Sequence, residues 1–307
     1  MKICIISGQF KPNQCGISDY IKLLSIEFER LGHIVTKATL NDNISLTDIA
    51  QKLPSADIYS LQFAPYLFSP GGLIGSSLIE LAKQIKVKKL HVNFHEIWIG
   101  AYPNASIWER FMGWRQKREI LKFLRISKPT VVTSSNAAAL DRLNCSNITS
   151  QYLYLFGNIA YSKSEFKCYD NFIKVAIFGT LYEKFPYDIL LKNLHDISHI
   201  KKRKLQIRII GRQREEKGLS LLKTLAKKSN LLIFESGVLS TDSISHELQI
   251  CDLGVCTTPL DIIGKSGATA AMLEHGLPVI AFDDGDTPID KLFVFKEFKN
   301  QIYSLND

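Results

Sequence analysis

The stretch GKSGATAAMLEHGLPVIAF, residues 264–282, predicts a helix start, a short helix and a buried strand in direct succession. The glycines at its start allow close backbone approach, and residues 268–274 are good helix formers. Gly276 stands where a glycine commonly ends a helix, and the apolar run after it is typical of a buried strand. The first turn of such a helix carries free N–H groups, and Lys265 adds a positive charge beside them. The stretch therefore predicts either an anion-binding helix start or an ordinary helix–strand unit of an α/β domain.

The 307-residue chain has the composition of a soluble globular protein, with 46% hydrophobic and 22% charged residues. This length is enough for two domains of ordinary size. The six cysteines include no Cys-x-x-Cys pair and several lie in apolar runs, so we expect reduced, buried thiols in a cytoplasmic protein and no zinc site. The first apolar run, in MKICIISGQF, is too short for a signal peptide, and no later stretch approaches transmembrane length.

The positive charge is concentrated in the first half of the chain. The formal net charge is +8, and residues 1–160 carry +7 of it, with 18 Lys and Arg against 11 Asp and Glu. We therefore expect an anionic partner for that half, such as a membrane surface, a lipid phosphate or a polyanion. No zinc-finger, RNP or helix-turn-helix signature accompanies the charge, so nucleic acid is not an expected partner.

Strand-like and helix-like segments alternate along the chain, which predicts βαβ units and parallel sheets buried on both faces. The predicted strands are 2–7, 34–40, 58–61, 90–94, 131–134, 152–155, 175–178, 207–210, 231–234, 253–256 and 279–282. The predicted helices are 18–31, 71–86, 106–126, 186–199, 213–229, 241–250 and 267–275. Gly, Asn, Ser and Lys interrupt the pattern after residue 155. We therefore expect a first domain at 1–160, a linker at 161–172 and a second domain at 173–307.

Two segments of the first half place candidate binding residues just after predicted strands. Gly16 lies in PNQCGISDY, ahead of a helix for which Ser18 or Asp19 is the expected cap. Backbone N–H groups there either meet a phosphate or form a plain capped turn. His95, in HVNFHEIW, follows the strand 90–94, where α/β folds place site residues. A lone histidine is more often structural, so its position is the argument for function.

Three predicted strands of the second half end in comparable motifs. FGTLYEK puts Gly179 at a strand end and Lys184 five residues later, where a lysine either holds a diphosphate or lies in solvent at a helix start. Gly211 and Arg212 end the next strand, and ESGV brings Val238 to the end of the one after it. Because ligands of doubly wound domains lie at the carboxyl ends of the strands, these ends predict a binding site.

Together these motifs resemble the nucleotide-sugar glycosyltransferases of the GT-B fold, and in particular retaining family 4. GISDY at 16–20 is similar to the family's loop after its first strand, and His95 in HEIW is similar to a histidine that ends a middle strand. GTLYEK at 179–184 is similar to a Gly-Arg-Leu…Glu-Lys element of the family, and LQFAPY ahead of a glycine pair is similar to its first domain. The resemblance implies an α/β protein with two doubly wound, Rossmann-like domains that face each other across a cleft.

The resemblance also implies a role for each motif. The second domain binds the nucleotide-sugar donor, UDP- or GDP-linked, and the first binds the acceptor. Lys184 neutralises the diphosphate leaving group and His95 hydrogen-bonds a hydroxyl of the transferred sugar, so these are the expected catalytic residues. No cofactor and no divalent metal are expected. The expected donor-binding residues are Gly16, Gly179, Thr180, Lys184, Gly211, Arg212, Val238, Lys265, Ser266, Gly267, Ala268 and, on the ribose hydroxyls, Glu274.

Two positions depart from the family's pattern. Thr180 stands where the family has an arginine, so Arg212 or Lys265 is the expected substitute for that diphosphate cation. Ser266 stands at the first of two acid positions eight residues apart, and Glu274 matches the second. A serine lacks the charge of a glutamate, so the donor sugar must be held differently and retention of configuration does not follow. The chain also ends soon after its last predicted strand, which makes a truncated second domain one expectation.

Residues 107–126 combine aromatic and basic side chains on one predicted helix. The segment predicts either a basic amphipathic helix on an anionic membrane, where lipid-linked acceptors are found, or a helix whose apolar face covers the sheet while its charges are solvated. The second interpretation is favoured for most of the helix, and both hold if the tryptophans project. The side chains concerned are those of Trp108, Arg110, Phe111, Met112, Trp114, Arg115, Lys117, Arg118, Lys122 and Arg125.

The sequence therefore predicts a cytoplasmic hexosyltransferase, peripheral on the inner face of the cytoplasmic membrane. It transfers a sugar from a nucleotide-diphosphate donor to a glycan or lipid-linked acceptor in cell-surface polysaccharide synthesis. Two alternatives stay open. The first is a catalytically silent nucleotide-sugar-binding protein, which is supported by Thr180, Ser266 and the early end of the chain. A different GT-B enzyme, such as a sugar-nucleotide epimerase, needs a carboxylate set around the anomeric carbon, which the sequence does not locate.

Overall fold

The computed structural model describes nine stretches of the chain and divides it into two compact units, Met1–Leu153 and Tyr154–Asp307. The predicted linker at 161–172 falls in the second unit. Part of that segment, 164–170 with Cys168, lies outside the described residues. The stretches that the structure describes are 1–12, 15–41, 43–86, 88–101, 105–163, 171–211, 213, 216–282 and 296–305.

The first unit is built on a six-stranded parallel sheet with helices as its crossovers. Its strands are β1 (Lys2–Gln9), β2 (Ile34–Leu40), β3 (Ile58–Phe63), β4 (Leu90–Phe94), β5 (Val131–Ser134) and β6 (Gln151–Tyr152). Its helices are α1 (Gly16–Arg30), α2 (Leu46–Gln51), α3 (Pro65–Phe68), α4 (Ser76–Ile85), α5 (Ile107–Ser127) and α6 (Ala137–Asn144). The strand order is β2-β1-β3-β4-β5-β6, and the central strands β1, β3 and β4 are almost wholly buried.

The second unit repeats this architecture with its own core. Its strands are β7 (Phe172–Phe178), β8 (Lys204–Ile210), β9 (Leu232–Glu235), β10 (Leu253–Cys256), β11 (Val279–Ala281) and β12 (Ile302–Ser304). Its α-helices are α7 (Tyr187–Lys201), α8 (Glu216–Lys228), α9 (Thr241–Gln249) and α10 (Gly267–Glu274). The order β12-β11-β10-β7-β8-β9 reverses between β7 and β10. Doubly wound sheets bind ligands at the carboxyl ends of the strands beside such a reversal.

Two predictions about local structure are wrong. The strand at 279–282 is not the last of the second unit, because β12 pairs with it in parallel, with Val279 opposite Ile302. The predicted caps of α1 are also wrong: the helix begins at Gly16, and Cys15 occupies the N-cap position without a side-chain cap. The Ser18 hydroxyl accepts from the backbone N–H of Lys11 at 2.9 Å instead, so it holds the preceding loop against the helix.

The helix α5 has one face in the core and one face in solvent. Ser106 and Glu109 form a capping box that starts the helix. On the inner side, Gly113 is required, because a Cβ there would lie 1.8 Å from the carbonyl oxygen of Ile99. The other inward residues are Met112, Gln116, Ile120, Phe123, Leu124 and Ser127. The interpretation that α5 covers the sheet is therefore confirmed for this face.

Candidate functional site

The second unit brings two of the predicted motifs together at the reversal of its strand order. Gly179 follows β7 with a φ of +98°, a conformation that favours glycine. A Cβ at Gly179 would lie 2.9 Å from Cβ of Ala268, so the start of α10 packs directly over the end of β7. Thr257, just after β10, holds the segment that follows Gly179: its hydroxyl donates to the Thr180 carbonyl and accepts from the Tyr182 N–H.

Ser266 is the N-cap of α10. Its hydroxyl oxygen accepts from the backbone N–H of Thr269 at 3.2 Å, and the Thr269 hydroxyl donates to it at 2.8 Å. A serine here satisfies one of the donors that a helix start leaves without a partner in the helix, which is a role that glutamate performs poorly. The N–H groups of Gly267 and Ala268 come before the first possible intrahelical bond, so they remain the groups that can meet an anion.

Glu274 ends α10 and is tied to the segment that enters the second unit. Its Oε1 accepts from the hydroxyl of Tyr154 at 2.6 Å and from the backbone N–H of Gly157 at 2.9 Å. Gly157 lies so close to the helix that a Cβ would be 2.7 Å from Cα of Ala271 and 2.6 Å from Oε2 of Glu274. This carboxylate therefore has two partners within the unit, which the sequence did not reveal.

Of the remaining predicted donor-binding residues, Gly211 and Val238 follow strand ends, while Lys184 lies in the turn after β7 and Lys265 just before α10. Lys184 is exposed and forms no ion pair with any residue in the described ranges. Gly211 follows β8 with a φ of +83°, and its N–H donates to the Ser236 hydroxyl at 3.0 Å. Val238 is 79% exposed after β9, and Lys265 is half-buried before α10. Arg212 lies outside the described residues.

The first unit holds the other two predicted residues at a helix start and at a strand end. Gly16 opens α1, and no atom lies within 4 Å of the Cβ that it lacks, so no neighbour in the described part requires a glycine there. His95 follows β4 directly, as predicted, and its backbone N–H donates to the carbonyl of Phe63 at 2.9 Å. Its ring is 5% exposed and meets the ring of Tyr20 edge-on, with 5.1 Å between centroids.

Burial and polar neighbours on the sheet determine the protonation state and the hydrogen bonding of His95. Its Nε2 lies 2.8 Å from Oε1 of Gln62 on β3. Burial lowers the pKa of His95 to about 4, with a smaller contribution from His91, whose own pKa burial also lowers to about 4. Both imidazoles are therefore neutral at physiological pH, so His95 acts as a hydrogen-bonding group and not as a cation.

Several polar side chains around His95 were missed by the sequence reasoning. Their spacing in the sequence could have revealed them. Polar residues recur at every second position in His91, Asn93 and His95, so they share one face of a strand that is otherwise apolar. Ser60 and Gln62 have the same spacing on β3. Polar residues with this period inside a buried strand indicate a built polar network, because unpaired polar groups are costly there.

Two features of the described residues bear on other classes of site. In the ranges that the structure describes, no three side chains of His, Cys, Asp or Glu converge as a metal-binding group. Across the same ranges, no helix combines the length and apolar character needed to cross a membrane. Of the cysteines, Cys4, Cys251 and Cys256 are buried, which raises the pKa of each thiol, while Cys15 is half-buried and Cys145 is exposed.

The fold is shared with solved glycosyltransferase structures. One is HepE (Alr3699) of Anabaena in complex with UDP and glucose, with 15% identity, a TM-score of 0.55, and coverage of 92% of this chain and 80% of that one. A second is an α-glucosyltransferase in complex with UDP and a 13-mer DNA containing an HMU base, with 10% identity, a TM-score of 0.54 and the same coverage. A third is the lipopolysaccharide outer core galactosyltransferase WaaB, with 13% identity, a TM-score of 0.54, and coverage of 99% and 86%.

These likenesses establish the fold class. The chain is an α/β protein of the GT-B type with two Rossmann-like, doubly wound units, and this prediction is confirmed. No protein-family model matches the sequence, and no curated protein matches it either. Membership of retaining family 4 therefore stays a prediction.

Proposed function

We propose that the protein is a glycosyltransferase that takes its sugar from a nucleotide-diphosphate donor. The observation that carries the proposal is the meeting of Gly179 and Ala268, which brings the N–H groups at the start of α10 to the reversal of the second sheet. A helix start at this point of a doubly wound sheet favours a diphosphate. Solved proteins with the same fold contain UDP, which supports a UDP-linked donor, with GDP as the alternative.

The donor's parts are assigned by chemistry. The diphosphate meets the N–H groups of Gly267 and Ala268, and Lys184 neutralises the charge that develops as the bond to the sugar breaks. Lys265 replaces the cation that Thr180 does not supply, and no divalent metal is required for this step. Glu274 keeps lone pairs after accepting from its two partners, so its carboxylate can still accept from ribose hydroxyls.

His95 is assigned to the transferred sugar. As a neutral imidazole it can accept a hydrogen bond from a hydroxyl without adding charge near the reacting carbon. The acceptor is proposed to be a glycan or a lipid-linked sugar used for the cell surface. One protein of the same fold contains DNA in its complex, and a nucleic-acid acceptor is the outcome that an acceptor screen would have to exclude.

The outward face of α5 supports a membrane-bound acceptor and a cytoplasmic, peripheral location. Its first half exposes Trp108, Phe111 and Trp114, which lie ring against ring with centroids 5.9 and 6.3 Å apart. The same face continues with exposed basic side chains, and Arg118 lies over the ring of Trp114 at 4.8 Å. Aromatic rings beside cations are the chemistry of helices that lie on anionic lipid surfaces. The other cations of this face are Arg115, Lys122 and Arg125.

Charge reversal on this face tests the membrane proposal. Replacing Arg118, Lys122 and Arg125 together by glutamate is expected to abolish co-sedimentation with vesicles that contain anionic lipid. Each cation near such a surface contributes about 1 kcal/mol, so the reversal removes several. The matched control reverses Lys83, Lys192 and Lys227, which lie on α4, α7 and α8, and should leave binding unchanged. Equal vesicle binding by both triple variants would show that this face of α5 does not bind the membrane.

A panel of UDP- and GDP-sugars tests the function itself. We expect the full chain to release nucleotide from one donor, slowly with water and faster with an acceptor, and His95→Ala and Lys184→Ala to reduce both rates. Saturable binding without turnover of any donor would favour the catalytically silent protein that Thr180 and Ser266 leave open. A changed sugar recovered on the nucleotide would identify an epimerase instead.

A further inference from the structure

His95 Nε2 contacts two members of a closed ring of five polar side chains, at 2.8 Å from Oε1 of Gln62 and at 3.3 Å from Nδ2 of Asn93. Gln62 Nε2 donates to Ser60 Oγ at 2.8 Å, and Ser60 Oγ lies 3.0 Å from Nδ1 of His91. Nε2 of His91 lies 2.7 Å from Thr133 Oγ1, which donates to Oδ1 of Asn93 at 3.0 Å. Asn93 Nδ2 then donates to Gln62 Oε1 at 3.0 Å and closes the ring. The ring joins the three neighbouring strands β3, β4 and β5.

The hydrogen bonds of the ring all run in one direction. Thr133 has a single hydroxyl proton, which it donates to an Asn93 oxygen that can only accept. Nε2 of His91 must therefore carry the proton that reaches Thr133, and Nδ1 of His91 is an acceptor. Oε1 of Gln62 can only accept and lies 2.8 Å from Nε2 of His95, so this nitrogen is the donor and Nδ1 of neutral His95 carries no proton. Nδ2 of Asn93 is also a donor, and its longer contact with Nε2 of His95, at 3.3 Å, is not a hydrogen bond in this tautomer.

We propose that this ring is a positioning element that holds His95 as the Nε2–H tautomer and so keeps Nδ1 as an acceptor for a substrate hydroxyl. Hydrogen bonds that point the same way polarise one another, which favours the closed ring over its open forms. None of the described residues hydrogen-bonds Nδ1 of His95. The tautomer is a property of the protein alone, whereas the identity of the substrate rests on the proposed function.

The fixed tautomer determines which group of the donor sugar can hydrogen-bond His95. A sugar that presents a hydroxyl to His95 can donate to Nδ1. A sugar that presents a carboxylate at the same position can only accept, so two acceptors face each other and the complex is disfavoured. The ring therefore selects a neutral sugar over its acidic counterpart at that contact.

The charges around His95 are compatible with this role. Burial keeps His91 and His95 neutral, since the pKa of each is lowered to about 4. The other titratable side chain that meets the His95 ring within the described residues is Tyr20 of α1, whose pKa burial raises to about 12. All three groups are uncharged near pH 7, so the direction of the ring is decided by hydrogen bonds and not by charge.

Nitrogen-15 NMR of the histidine rings in the full chain tests the tautomer without substrate. At pH 7 we expect Nε2 to be protonated and Nδ1 to be bare in both His91 and His95, with His91→Asn and His95→Asn spectra assigning the signals. A proton on Nδ1 of His95 would mean that the ring runs the other way, with both amides turned over. That spectrum would overturn the proposal.

Opening the ring tests its effect on the reaction. Thr133→Val removes the hydroxyl and is expected to give a mixture of His95 tautomers and a fall of about tenfold in kcat/KM, with nucleotide binding unchanged. Thr133→Ser should restore both. Thr36→Val removes a hydroxyl of β2 that donates to the Ile3 carbonyl, and this matched control should change neither. A single His95 tautomer in Thr133→Val would contradict the proposal. If the parent chain turned over no donor, that result would count against the proposed function, and the NMR spectra would still decide the tautomer.

Discussion

Lys184→Ala is expected to lower kcat/KM for the nucleotide-sugar by about 10²–10³-fold, which is the range measured when one stabilising group for developing negative charge is removed. The reason is electrostatic. Bond cleavage leaves charge on the diphosphate, and Lys184 is an exposed lysine close after β7 that no described acid neutralises. Most of the loss should appear in kcat, because the charge of the diphosphate increases in the transition state.

Two variants separate this role from a general effect of positive charge. Lys184→Arg keeps the charge and should retain more activity than alanine, although the planar fork of arginine does not reproduce a point charge. Lys192→Ala removes an exposed lysine of α7 in the same unit and should leave kcat/KM unchanged. Steady-state rates with the donor identified by the panel provide the measurement. A loss of less than twofold in Lys184→Ala would remove this residue from the chemistry.

Gly157→Ala is expected to lower the free energy of unfolding of the second unit by about 2–3 kcal/mol. Its Cβ would lie 2.7 Å from Cα and 2.8 Å from the backbone nitrogen of Ala271, and neither atom can move without displacing α10. The same displacement weakens the bond from the Gly157 N–H to Glu274, so nucleotide binding should fall with stability.

Urea unfolding of the full chain measures the loss, and hydrogen exchange locates it in peptides of the second unit. Gly71→Ala is the matched control, since no atom lies within 4 Å of its Cβ position and its φ is not in the left-handed region. That variant should stay within about 0.5 kcal/mol of the parent chain. Equal stability of Gly157→Ala and Gly71→Ala would contradict the packing of Gly157 against α10.

The sequence was most informative where hydrophobic pattern and geometry coincide. Strands β2, β4, β5 and β10 have the predicted bounds, because each is a short segment rich in strand-forming residues between clear helical or turn signals. The short helices α2 and α3 were missed, since six and four residues are too few to show a helical period. The strand β12 was missed because three residues of a half-buried edge carry little apolar signal.

The candidate site was predictable in outline but not in its contacts. The strand ends at Gly179 and His95 could be located because parallel sheets place ligands at one edge. The bonds of Glu274 to Tyr154 and Gly157 join residues more than 100 positions apart, and local pattern cannot show such pairs. Ser266 is a further case: the structure shows it as the N-cap of α10, a role that the comparison with an acid position did not indicate.

The most direct test of the proposed donor site is an amide NMR titration of the full chain with UDP and with GDP. We expect saturable shifts for one of the two nucleotides at the amides of Gly179, Gly267 and Ala268, because the diphosphate accepts from the start of α10. Saturation without effect at these amides, or no saturable shift with either nucleotide, would contradict a donor site at the start of α10.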